Sequence, residues 1–203
     1  MRIAFLAAAA LLAGCSQSVT DYRQQTPVLQ LDQFFAGSGR AYGVLHDWRG
    51  RQTLRFTADL CGEWQQGRGD LYEVFYFSDG RVEQRHWQLQ QDSQGKVSGT
   101  AGDVIGEAAG QLAGNALYWQ YVLRIPYDGS TLDVTVKDWL YLIDPQNLIN
   151  RTTMHKFGIK VAELTLSIQQ TDAGADCTDL KRKVAEVAAT QGQILYDFRR
   201  PFV

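Results

Sequence analysis

Histidine is scarce and solitary in this chain. His46, His86 and His155 are the three in 203 residues, and none has a partner at metal-ligand spacing. Cysteine is as rare: Cys15, Cys61 and Cys177 are the three present, and no histidine pair stands near them to complete a zinc site. No Gly-x-Ser-x-Gly elbow occurs to present a nucleophile. The glycine-rich stretch Gly37-Ser38-Gly39-Arg40-Ala41-Tyr42-Gly43 lacks phosphate-binding spacing and a strand-then-helix setting. A metal, a cofactor and catalytic residues are therefore not expected, and nothing visible supports an enzyme, a lipid hydrolase included. Charge of one sign is also missing. The formal net charge is -2, and the nearest thing to a basic cluster is Lys181-Arg182-Lys183, an ordinary solvated helix face, so no nucleic-acid partner is expected. Beyond the N-terminus no run is apolar enough for a membrane-spanning helix.

What is present begins with that N-terminus. Met1-Arg2 is followed by an apolar run from Ile3 to Ala13 and then Gly14-Cys15. A short charged start, an apolar stretch too short to span comfortably and a small-residue exit form a secretory signal. The ending Leu12-Ala13-Gly14-Cys15 resembles the bacterial lipobox, whose cysteine is lipidated and becomes the new N-terminus. Acyl chains contribute roughly 0.8 kcal/mol per buried methylene, so a triacylated Cys15 would hold the protein on a membrane without spanning it. Ser16 rather than Asp follows, the pattern of lipoproteins sent on to the outer membrane, with the domain facing the periplasm. The expected division is a signal peptide over 1–14, lipidated cysteine and polar tether over 15–31, one domain over 32–171 and a C-terminal extension over 172–203.

Hydrophobic residues at 45% and charged residues at 21% suit a globular domain, and one domain with a real core fits the length. From Phe34 onward, strand-like runs alternate with turn signals at short intervals. In Thr53 to Trp64, Leu54, Phe56, Ala58 and Leu60 share one face while Arg55, Thr57 and Asp59 share the other. Asp79-Gly80 is a hairpin dipeptide of the kind that takes positive φ at both central positions. Further runs end at turns near Gly50, Gly67, Gly114, Gly129 and Gly158. The glycines at 102, 106, 110 and 114 recur every four residues, yet Asp103 and Glu107 argue against an apolar helix, and they read as bends in strands. About ten strands with no helical interruption predict a mainly β fold, a single antiparallel up-and-down barrel whose closure removes exposed edges. Only after Gly174 does the period change, with Thr178 as a cap and Leu180, Val184, Val187 and Ala188 as one stripe of a helix. Cys61 and Cys177 form an even pair for an oxidising compartment. They are either a disulfide clipping that helix to an early strand, or a small buried residue and a free thiol.

Several stretches resemble an uncharacterised proteobacterial lipoprotein family, the domain of unknown function 3833. They are Leu31-Asp32-Gln33-Phe34-Phe35-Ala36-Gly37 with Gly43, Asp79-Gly80-Arg81 through Gln84-Arg85 to Trp87, and Ala101-Gly102-Asp103-Val104-Ile105-Gly106. Gly114-Asn115-Ala116-Leu117, Asp138-Trp139-Leu140-Tyr141-Leu142, and Leu148-Ile149-Asn150-Arg151 leading to Lys156-Phe157-Gly158 complete the set. The resemblance implies a lipocalin-like β-barrel and brings no activity. It ends near Asp172. The Gly-x-Trp of lipocalins proper is absent from the first strand, and Gly62-Glu63-Trp64 has that spacing on the second.

Two functional readings follow. In the first, the barrel holds a lipid or other small amphiphile. Trp87, Trp119, Tyr121 and Trp139 would give apolar wall, and Arg85, Arg124 or Arg151 would meet a carboxylate or phosphate head. In the second, the barrel is filled by its own side chains, and its surface or C-terminal helix docks to an envelope partner. The side-chain directions assumed in the first reverse with a one-residue slip of register.

Overall fold

The ten strand-like runs close into one antiparallel barrel in which strands adjacent in sequence are adjacent in space, the tenth pairing with the first. The computed structural model describes residues 17–127 and 129–190. The signal segment, Cys15 and the last residues of the C-terminal extension lie outside them. The strands are β1 (Gly37–Asp47), β2 (Gln52–Gln65), β3 (Arg68–Phe77), β4 (Val82–Gln91), β5 (Lys96–Thr100), β6 (Val104–Ala113), β7 (Ala116–Tyr127), β8 (Ser130–Asp144), β9 (Asn147–Lys156) and β10 (Ile159–Asp172). A one-turn helix α1 (Leu31–Phe34) precedes them and α2 (Thr178–Thr190) follows. Among the described residues no helix is long and apolar enough to cross a membrane.

Alternation sets the wall. On β7, Leu117, Trp119, Tyr121 and Leu123 are buried while Gln120 and Arg124 are exposed, so odd positions face the lumen. Turn chemistry sets the register. Gln66-Gly67 and Phe157-Gly158 each place two residues at positive φ, the geometry of a two-residue hairpin whose twist matches the strands. Asp79-Gly80 differs from expectation, because only Gly80 takes positive φ, at 89°. The Asp79 carboxylate instead accepts the Arg81 N–H, at 3.2 Å, and holds a longer turn.

Because neighbours are antiparallel, the connections 47–52, 77–82, 100–104, 127–130 and 156–159 gather at one end. The connections 65–68, 91–96, 113–116 and 144–147 gather at the other. The second end is closed by residues that were expected to form a tether. A 3-10 turn, Val19–Tyr22, opens with a capping box on Ser18 and lies against β6 and β7. Leu29 N–H then donates to the Gly114 carbonyl at 2.9 Å. Leu29, Leu31 and Phe34 bury almost completely as a plug, contributing about 1.5–3 kcal/mol each if fully withdrawn from water. The polar composition of residues 17–31 hid this role, since two apolar side chains there, Leu29 and Leu31, supply it with Phe34.

The helix α2 lies on the outer wall of β2, β3 and β4. Thr178 opens it rather than caps it, and Asp176 supplies the cap by accepting the Thr178 N–H at 2.7 Å. Val184 is its buried residue. A disulfide joins Cys61 on β2 to Cys177 just before the helix, with Cα atoms 5.5 Å apart. Lys181 adds an ion pair to Glu63, at 2.5 Å.

Candidate functional site: the barrel lumen

The lumen divides into layers, because inward side chains change in size and polarity along the strands. Glycines make room for its largest rings. A Cβ on Gly110 would lie 2.5 Å from Trp119, and one on Gly43 would lie 2.3 Å from Phe56. Of the four regularly spaced glycines, Gly110 is the clearance beneath an inward tryptophan, while Gly106 and Gly114 take positive φ.

Toward the closed end, aliphatic side chains and the α1 plug fill the interior, leaving an inner cavity of about 110 Å³. Leu71, Leu117, Leu140 and Ile168 line it together with Glu73, Asp138 and Asn150. Above it Trp87, Trp119 and Tyr121 form an edge-to-face cluster with ring centroids 5.4 to 6.5 Å apart. Toward the open end lies a larger cavity of about 340 Å³. Its wall is Leu45, Leu54, Phe56, Phe75, Phe77, Leu123, Ile125, Leu132, Val134, Met154 and Leu164, and Arg85 and Asp103 are its inner polar groups. That volume falls at the small end of the roughly 300–1,000 Å³ typical of ligand pockets.

Arg85 and Asp103 make a two-pronged ion pair. Arg85 Nη2 donates to Asp103 Oδ2 at 2.6 Å, and Nε lies 3.0 and 3.1 Å from the two oxygens. Burial opposes the Arg85 charge, but the Asp103 carboxylate outweighs it and keeps the guanidinium protonated. The pair spans a gap in the wall. The strand β5 is short and pairs with β4 only over Gln88–Gln91, so above Thr100 a recess opens on Arg85 and Asp103 from the side.

Three more polar groups complete the girdle. Burial pushes the Glu73 carboxyl up to about 7, Arg85 partly opposing and Asp103 and Asp138 adding to the rise. Glu73 Oε2 has no hydrogen-bond partner among the described residues. Asp138 is raised by burial, against hydrogen bonds from Thr152, from Asn150 Nδ2 at 2.7 Å and from the Tyr121 hydroxyl at 3.4 Å. Burial, and next the Asp138 charge, hold the Tyr121 hydroxyl protonated. The girdle thus carries one cation against three carboxyl groups, and the cation is already neutralised by Asp103.

Of the expected binding residues, Arg85, Trp87, Trp119 and Tyr121 face the lumen. Trp139 and Arg151 face outward, a correction that follows from strand parity. Leu140 and Leu142 point inward on β8, so Trp139 lies outside, packed on Tyr118, Tyr141 and Tyr22. Arg124 sits between inward Leu123 and Ile125, pairs with Asp133 at 2.9 Å and borders the open-end cavity at its mouth. Arg151 lies between inward Asn150 and Thr152 and pairs with Glu163 at 3.1 Å. Sequence reasoning missed Glu73, Asp103, Asp138, Asn150 and Thr152. The one available signal was Asp138 on the lumen parity of Leu140 and Leu142.

The architecture is that of a lipocalin-like barrel. The chain is similar to the S-type phycobiliprotein lyase CPES from Guillardia theta, at 8% identity and a TM-score of 0.51, over 77% of this chain and 99% of that one. It is also similar to a protein of unknown function from the DUF3598 family of Nostoc punctiforme, at 12% identity and a TM-score of 0.50, over 72% of this chain. The match spans about half, 51%, of the Nostoc protein. These likenesses show the fold alone. No curated protein matches the sequence. A family model described as a protein of unknown function, DUF3833, matches residues 9–170, four-fifths of the chain and the whole barrel but for its last two residues, and the chain belongs to that family.

Proposed function

We propose that the barrel binds one small amphiphile, with its apolar part in the open-end cavity and its polar part toward the Arg85–Asp103 floor. The observation that carries this reading is the cavity of about 340 Å³, walled by aliphatic and phenyl groups in a barrel whose other half is filled. The charge balance refines the ligand class. Asp103 already satisfies Arg85, so the floor holds no spare cation and favours an amine, hydroxyl or zwitterionic head over a bare carboxylate. A fatty acid is the poorer fit.

The reading as a filled scaffold loses its main support, because α2 spends its apolar stripe on the barrel's own wall. Lipidation at Cys15 and attachment to the outer membrane remain part of the proposal, supported by the lipobox pattern. Gln17 donates to the Tyr141 hydroxyl at 2.6 Å, three residues from the closed end of β8. Two residues reach about 7 Å, so an anchor on Cys15 would leave the barrel from its closed half.

Native mass spectrometry of gently purified protein tests the ligand. Stoichiometric uptake of added long-chain amine or lysophosphatidylethanolamine, stronger than that of the matching fatty acid, is expected. A bare polypeptide mass with every amphiphile offered contradicts it.

A further inference from the structure

Phe157 is placed against the grain of its own turn. It is 91% exposed, occupies the tip of the β9–β10 hairpin and holds a φ of +50°. Asn, Asp or Gly is the low-cost choice there, and a bulky aromatic in the left-handed region is an outlier. Among the described residues its ring meets the Lys156 ammonium, 4.8 Å from the centroid. The cost therefore has no larger return among the described residues.

The same end of the barrel repeats the theme. Trp48 at the β1–β2 tip is 55% exposed, with the Arg49 guanidinium 4.5 Å from its ring. Ile159 is 70% exposed beside Phe157, and Ile105 and Tyr127 stand exposed at the neighbouring tips. Acids near this rim are matched: Asp47 with Arg51, Asp79 and Glu83 with Arg81, and Asp133 with Arg124. Arg49 has no acidic partner among the described residues, and the Lys156 ammonium, which donates to the Asp133 carbonyl at 2.8 Å, lies beside Phe157, so a cation flanks each of the two most exposed aromatics.

We infer that this rim docks on an anionic phospholipid bilayer, with Trp48, Phe157 and Ile159 in the interfacial layer and Arg49 and Lys156 at the phosphates. The side chains project singly from separate loops and form no groove, which suits a fluid interface better than a folded partner. Aromatic rings with adjacent cations are the residue types that favour the headgroup boundary. The apolar cavity opens on this same rim, opposite the closed half from which an anchor on Cys15 would leave, so docking would bring its mouth to the acyl region of a second bilayer facing the anchored one. The inference does not depend on what the cavity holds.

Vesicle flotation tests it with the chain from Ser16 onward, which keeps every element of the barrel and both cysteines of the bridge. Mixed phosphatidylethanolamine–phosphatidylglycerol vesicles should carry the protein up the gradient. Phe157→Asn should melt no lower than the parent, yet bind the vesicles roughly tenfold less or worse, and Trp48→Ser should weaken binding similarly. Tyr42→Ser and Ile143→Ser, exposed apolar positions away from the rim, should bind as the parent does. A parent protein that stays at the bottom of the gradient overturns the inference. So does full binding by Phe157→Asn, or an equal loss in the two distant variants. Ligand occupancy by native mass spectrometry is read separately, so either result can fail without the other.

Discussion

Arg85 on β4 and Asp103 in the β5–β6 turn close by side chains a stretch of wall that the backbone leaves open. The ladder between β4 and β5 ends at Gln88 and Thr100, and the two charges meet at 2.6 Å above it. Asp103→Ala should destabilise the barrel by about 2–4 kcal/mol, since it strands a largely buried guanidinium. Arg85→Met combined with Asp103→Leu should cost far less than the single changes suggest, because the pair's mutual attraction mainly offsets its desolvation. A double-mutant cycle by urea unfolding measures the coupling.

Glu73 gives the lumen a pH signature. Its carboxyl titrates near 4.5 in an unfolded chain and near 7 in the barrel, so the folded state binds the proton more tightly. As far as this group is concerned, stability is greatest below pH 4.5, falls as pH rises to about 7, and is level above. The full drop is on the order of 3 kcal/mol. Carboxylates held low by partners, such as Glu163 by Lys160, act in the opposite sense and in a more acidic window. Glu73→Gln should therefore stabilise the protein at pH 8 and change little at pH 4. Unfolding free energies at the two pH values, variant against parent, check the sign.

The ten strands were readable because period-two alternation and glycine turns are local signals. The lumen was readable only in part, because direction depends on what covers the outside. On β3, Tyr72, Val74 and Tyr76 point outward beneath α2, so both faces are apolar and Glu73 reads as the odd polar residue of a solvated face. On β7, Tyr118-Trp119-Gln120-Tyr121 puts rings on both sides, and the outward one, Tyr118, packs on Trp139, which also meets Tyr22 of the N-terminal segment. That segment reads from its sequence as a tether, so nothing in the sequence assigns its partners to the outside. The α1 plug was equally hidden, since a single turn of helix has no periodicity to detect.

The bridge from Cys61 to Cys177 spans 116 residues of sequence. Chain-entropy reasoning assigns a loop of that length about 4–5 kcal/mol. The helix that it secures buries one side chain well, Val184, so the loss should be local first. Cys61→Ala with Cys177→Ala should leave the barrel folded, lower its unfolding midpoint, and expose the Lys181–Lys183 stretch to trypsin. Resistance of that stretch equal to the parent's would contradict this assignment.

The anchor is open to a direct test in cells of a lipoprotein-processing bacterium. A palmitate analogue should label the parent protein, and Cys15→Ser should abolish the label and shift the protein from the membrane to the soluble fraction. Unchanged membrane attachment in Cys15→Ser would remove the anchor from the account.

The central claim is that the open-end cavity holds a ligand, and filling it is the most direct measurement. Val134 lies on its wall, fully buried and pointing inward. Val134→Phe narrows the cavity, and overpacking typically costs about 1–3 kcal/mol, a change that the melting curve would register. Titration of parent and variant with a long-chain amine, followed by calorimetry, should show one saturable site in the parent and a loss of at least roughly tenfold in the variant. Equal binding by a folded Val134→Phe protein, or none by the parent, would contradict the account.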